Sequence, residues 1–84
     1  MNLVFSPSAK DFLQKIDLKN RDFLRRKIFD LAKLKNPLRS PNVLKIKLFN
    51  FYRFRAGDFR IFFKIKNDEI LIGQIRRRNE KNYR

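Results

Sequence analysis

Apolar residues recur with two different periods along this chain, and the change of period falls near residue 42. Before it, Ala9, Phe12, Leu13 and Ile16 stand at i, i+3, i+4 and i+7, the stripe of an amphipathic helix. Ser6 or Ser8 can cap that helix, and Pro7 is tolerated in its first turn. The run Asn2 to Phe5 before it is β-prone and ends at Ser6-Pro7. Asp17 and Asn20 are the candidate caps of a second helix, in which Phe23, Leu24, Ile28, Leu31 and Leu34 repeat at helical spacing. Arg25, Arg26, Lys33 and Lys35 fall off that stripe and, with Lys27, read as its wet face. Pro37 ends the helix and Pro41 prevents a quick restart. The short joint between the helices predicts an antiparallel αα-hairpin.

After Asn42 the period becomes two. Val43 to Leu48 alternates weakly and reads as strand or extended loop. Tyr52 and Phe54 share one parity, and Arg53 and Arg55 the other. Beyond Ala56-Gly57-Asp58 the alternation resumes, with Phe59, Ile61, Phe63 and Ile65 facing one way and Arg60, Lys64 and Lys66 the other. This predicts a hairpin with one apolar and one cationic face, and Gly57 supplies the positive φ that a short turn needs. Phe62 falls among the cations, where an aromatic ring can stack on a base or cover a sheet edge. Asn67-Asp68 is a second turn signal. Glu69 to Arg76 then forms a third strand, with Ile70, Leu71 and Ile72 covered on both faces. The expected fold class is α+β in one domain, residues 1–84. A short N-terminal strand and the αα-hairpin precede an antiparallel β-meander, and the helices pack on one face of the sheet.

Composition narrows the chemistry. The chain has 22 Lys and Arg against 8 Asp and Glu, a net charge of +14. That exceeds what solubility asks for and favours phosphate backbones or acidic protein partners. There is no cysteine and no histidine, so neither a thiolate nucleophile nor the commonest general base is present. The acidic residues are scattered without metal-ligand spacing, which argues against a metal centre and leaves no cofactor implied. No apolar run approaches the roughly 20 residues of a spanning helix, and Met1 to Phe5 is too short for a signal sequence, so a cytoplasmic location is expected.

Arg53, Arg55 and Arg60 share a face of the hairpin, and the third strand returns Arg76, Arg77 and Arg78 toward Arg60. Guanidinium forks match phosphate oxygens. The bland reading is a solvated strand face that keeps the sheet from aggregating. Lys45 and Lys47 form another same-face pair, more in keeping with solvation than with catalysis. Tyr83, in a polar tail, is either a surface anchor or a phenol that stacks on a base or exchanges a proton. As an active site, this set suits metal-free RNA cleavage, in which the neighbouring 2′-hydroxyl attacks. Arginines would stabilise the phosphorane, and Tyr83 or a lysine would move protons, because arginine does not deprotonate.

The block Tyr52-Arg53-Phe54-Arg55-Ala56-Gly57-Asp58-Phe59-Arg60, with Arg77-Arg78 and Tyr83 near the end, resembles the RelE/ParE superfamily of toxins from type II toxin–antitoxin systems. The resemblance covers the whole chain in length and element order, and its specific part is the hairpin. It implies a RelE-like, ribosome-dependent endoribonuclease, an mRNA interferase that needs no metal. Its partners would be the ribosome, mRNA and a cognate antitoxin, an acidic or amphipathic segment that wraps the toxin. Arg53 and Arg55 would occupy two basic strand positions that are lysines in well-known members; arginine there keeps the charge and loses a possible proton acceptor. Arg60 would clamp the phosphate, Arg77 or Arg78 would match the later arginine, and Tyr83 would stack on the base or assist the 2′-hydroxyl. Lys45, Lys47 and Arg76 would add RNA contacts. The alternative is the ParE branch, which inhibits DNA gyrase on the same fold, or a non-catalytic basic module that binds nucleic acid.

Overall fold

The first helix starts at a serine that also fixes the sheet. In the computed structural model, which describes residues 1–78, Ser6 separates strand β1 (Asn2–Phe5) from helix α1 (Pro7–Lys15). Its hydroxyl accepts from the Ala9 amide (3.1 Å), the N-cap bond that satisfies one free helix donor. Pro7 opens the helix, where a missing N–H costs nothing. Asp17 caps helix α2 (Leu18–Lys33) in the same way, through the Asn20 amide at 3.3 Å. Between the helices, Arg21 donates to the carbonyls of Leu13 (2.6 Å), Gln14 (2.9 Å) and Ile16 (3.3 Å). One side chain thus serves several carbonyls that the end of α1 leaves without helical partners.

The stripe on α2 ends one residue earlier than its spacing suggests. Leu34 is the C-cap and 43% exposed, because the helix stops at Lys33. A single 3₁₀ turn, Pro37–Arg39, then leads to β2 (Val43–Lys45). Only three residues of the weakly alternating stretch become strand. Three longer strands follow: β3 (Tyr52–Ala56), β4 (Phe59–Lys66) and β5 (Glu69–Arg77). The β3–β4 turn has positive φ at Gly57 (57°), and the β4–β5 turn has it at Asn67 (51°) and Asp68 (64°). Both are the left-handed conformations that two-residue hairpin turns require.

The sheet runs β1-β5-β4-β3-β2. The meander is antiparallel as expected, but the sheet as a whole is mixed, since β1 lies parallel to β5. The reason is topological. The chain between these two neighbours contains both helices, the kind of long connection that parallel pairing needs.

One irregularity decides which β5 side chains face which way. Phe62 pairs with Gln74 but Phe63 pairs with Ile72, so Gly73 is an extra residue, a β-bulge. Ser6 holds it: its amide donates to the Ile72 carbonyl (2.9 Å) and its hydroxyl to the Gly73 carbonyl (2.6 Å). Before the bulge Ile70 and Ile72 point to the helices, and after it Ile75 does. The core lies there, between Ala9, Leu13, Leu24, Ile28 and Leu31 of the helices and Phe54, Phe59, Ile61, Phe63 and these isoleucines of the sheet. Each of the leucine, isoleucine and phenylalanine side chains, fully buried, contributes about 1.5–3 kcal/mol. Among the described residues no charged or polar side chain is buried with them.

Candidate functional site

Among the described residues, no helix lies over the opposite face of the sheet. Register places Arg55 directly across from Arg60, and Arg60 directly across from Arg76. Three arginines therefore form a row at right angles to the strands. Arg53 sits one pleat away, between Leu44 and Phe62. Opposed residues have Cβ atoms roughly 4.5–5.5 Å apart, and like charges so placed destabilise a sheet. Among the described residues Arg53, Arg55 and Arg60 form no salt bridge; the one found joins Lys15 to Asp11 on α1 at 3.0 Å. Arg76 is steadied from its own strand. With its amide oxygen toward the guanidinium, Gln74 accepts from Arg76 Nε (3.2 Å) and an Arg76 Nη (3.1 Å).

Beside the row lies a patch of rings. Phe62 meets Phe51 edge to face, with centroids 5.9 Å apart, and Phe51 stacks on Phe49 at 5.3 Å. Phe49 and Phe51 come from the segment between β2 and β3, which folds back over the middle of the sheet. Arg60 and Arg76 of the row line an open groove of about 920 Å³ with Phe49, Phe51 and Phe62, and Gln74 and Arg77 contribute to it as well, while Arg55 stands outside its lining.

Not every expected residue joins this group. Arg77 reaches only the edge of the groove: it pairs with Phe59, the parity that faces the helices, and its guanidinium carbon lies 5.1 Å from the Phe59 ring centroid. Phe59 in turn packs edge-on against Phe12 of α1. The bulge is the cause: without it Arg77 would share the open face and Arg76 would not. Arg78 follows the last residue of β5, and its amide donates to the Asp58 carbonyl at 2.6 Å. Carried one residue further, the strand alternation assigns it to the side of Arg76. Lys45 pairs with Tyr52, whose ring stacks on buried Phe63 (5.6 Å), so its parity is that of the helix side. Lys47 lies beyond β2, so strand parity does not fix its face relative to Lys45. Tyr83 lies outside the described residues.

Gln74 and the Phe49–Phe51 stack were not singled out by the sequence. Gly73 inside an otherwise regular strand was the signal for the bulge. Chemically, the described face can hold an anion and a flat apolar group side by side. Among the described residues no cluster of His, Cys, Asp or Glu could hold a metal ion. Nor is any described helix long and apolar enough to cross a membrane.

The fold matches known structures. The chain is similar to one in the toxin–antitoxin complex RelBE2 from Mycobacterium tuberculosis, with TM-score 0.76 and 22% identity over 94% of this chain and 92% of that one. It is similar to one in the archaeal RelE-RelB complex from Pyrococcus horikoshii, with TM-score 0.75 and 18% identity over 94% and 96%. The isolated E. coli RelE toxin superposes with TM-score 0.75 and 12% identity over 96% and 87%. A comparison with curated protein sequences finds no match. A sequence model of the ParE toxin of type II toxin–antitoxin systems, however, matches residues 3–82. With nearly the whole chain matched, the protein belongs to the ParE toxin family within the RelE/ParE superfamily of type II toxin–antitoxin systems.

Proposed function

We propose that this toxin is a ribosome-dependent endoribonuclease that cuts mRNA and stops translation in the cytoplasm, and that a cognate antitoxin holds it in check. The observation that carries the reading is the Arg55–Arg60–Arg76 row. Arg55 and Arg60 stand directly opposed with no salt bridge among the described residues, and a phosphate placed over them relieves their repulsion. In the reaction, the 2′-oxygen attacks phosphorus as its proton leaves. The bond to the 5′-oxygen breaks and that oxygen takes up a proton, giving a 2′,3′-cyclic phosphate and a 5′-hydroxyl. Arg60, at the centre of the row, is the residue best placed to hold the phosphorane oxygens, with Arg55 and Arg76 on either side and Arg53 on the flanking RNA. Donors fixed where charge develops are worth more in the transition state than in the ground state. Arginine cannot carry the protons. That role falls to Tyr83, or to Lys64, which shares the parity of Arg60 and Phe62. Arg77, on the helix side, acts in this reading by holding the end of β5 against Phe59. Arg78 is the end-of-strand arginine whose parity suits the phosphate.

A second reading has its own support, since the matching family model is that of ParE toxins. A ParE-like inhibitor of DNA gyrase would use the same basic face to bind and would move no protons. Induced expression separates the two. The nuclease reading expects arrested translation with new mRNA ends inside codons, lost in both Arg60→Ala and Tyr83→Phe. Growth arrest with intact mRNA overturns it, and toxicity that survives both changes points to binding without chemistry.

A further inference from the structure

The mRNA-cleavage reading accounts for the arginines and leaves the rings unused. Phe49 is 58% exposed, and Phe51 and Phe62 are half-buried, on the sheet face that no described helix covers. We propose that Phe62, backed by Phe51 and Phe49, is a stacking subsite for one unstacked base of single-stranded RNA whose neighbouring phosphate lies on the arginine row. This rests on the RNA reading of the same face and adds what part of the RNA it takes.

Position argues for it. Phe62 lies on β4, the middle strand, two residues from Arg60, a separation of about 7 Å along a strand. Across the sheet it sits between Arg53 and Gln74. The groove therefore offers cations, rings and an amide within about the reach of one nucleotide. A bare phosphate would need only the cations, and an apolar segment only the rings. Charge argues for a polyanion. The same face presents Arg53, Arg55, Arg60, Lys64, Lys66 and Arg76, so its occupant gains most if it carries a charge in every unit, as a nucleic acid does. A duplex keeps its bases stacked inside, whereas a single strand can splay one onto a flat sheet bearing aromatic rings. Every base has a π face, so this subsite orders the strand without selecting its sequence.

Fluorescence anisotropy on the purified full chain tests the assignment. The probes are a 2′-O-methyl RNA tetranucleotide, which cannot be cleaved, and the abasic sugar-phosphate of the same length. Wild type should prefer the base-bearing probe. Phe62→Leu should weaken that probe roughly 5- to 150-fold, the range for losing one stacked base, and leave the abasic probe unchanged. Phe51→Leu should do the same to a smaller degree, and thermal melts establish that both variants fold. Arg60→Ala should weaken both probes alike. The assignment is overturned if Phe62→Leu leaves the base preference intact, or if it weakens both probes equally. It is also overturned if Phe62→Leu weakens an acidic amphipathic peptide but not the RNA, which would make the rings a protein-docking patch. Base preference without any mRNA cleavage sinks the nuclease reading and leaves the subsite standing. Cleavage without base preference does the reverse.

Discussion

Strand β4 has two unlike sides. Phe59, Ile61 and Phe63 turn toward the helices and are buried, while Arg60, Phe62 and Lys64 alternate with them on the open side. The inner side is held by burial of apolar surface. The outer side sets charge against like charge across neighbouring strands. Two properties of one strand are thereby separable. Inner positions decide whether the chain folds, and in the proposed reading outer positions decide what it binds. Substitutions on the two sides should therefore fail in different assays.

The largest effect belongs to the inner side. Ile61→Ala removes a fully buried side chain from the middle of the sheet and leaves a cavity there. The expected loss is about 2–5 kcal/mol, read from urea unfolding. In a domain with an ordinary stability of about 5–15 kcal/mol, that is a large share. Arg60→Ala should invert the pattern. Its melting temperature should stay level or rise slightly, because two like-charged neighbours lose a repulsive partner. Single-turnover mRNA cleavage should drop by roughly 10²–10³, the usual loss for one donor at a developing charge. A melting temperature that falls as far as that of Ile61→Ala would break the comparison.

Much of the inner side was legible, and less of the outer side. Period-two spacing located β4 and both turns, because Gly57 and Asn67-Asp68 advertise positive φ in their residue types. The caps were legible for the same reason: short polar side chains stand just before apolar stripes. The parallel placement of β1 was not legible, since pairing between residues 2–5 and 69–72 is a tertiary outcome with no local signature. The site was partly legible. Parity placed Arg53, Arg55 and Arg60 together, but parity cannot be carried through an unnoticed bulge. Gly73 exchanged the faces of Arg76 and Arg77, and only the hydrogen bonds from Ser6, 67 residues away, reveal why it sits there.

Gly57 gives a third and smaller test, at the joint where the chain passes from β3 to β4. Its φ of +57° is strained for any residue with a Cβ, and an added Cβ would stand 3.0 Å from the Phe23 ring. Gly57→Ala should cost about 1–2 kcal/mol from the backbone alone, somewhat more if the ring cannot shift. Because the turn also sets Arg55 opposite Arg60, RNA binding should weaken with stability in this variant, the one place where the two assays move together. Unchanged binding in the destabilised protein would mean that the row does not depend on this register.

The smallest effect concerns a single charge on the helix side. Asp17 is held below the ordinary carboxylate value of 3.8, chiefly by the Asn20 side-chain amide (2.9 Å), then by the Asn20 backbone N–H. The positive charge of Arg77 comes last among the causes. A depressed carboxylate binds protons more weakly in the folded state than in the unfolded chain. Its contribution is therefore present above its ordinary value and is lost as pH falls through the folded one. Stability should decline in that acid window. Asp17→Asn should flatten the decline by one group's share, because asparagine caps a helix about as well and does not titrate there. Arg77→Ala should barely alter it, and Arg60→Ala should not alter it at all, since the open face lies across the sheet from this cap. An acid profile that Asp17→Asn leaves unchanged, measured by unfolding between neutral and strongly acid pH, would remove the claim that helix-side charge is what titrates with the fold.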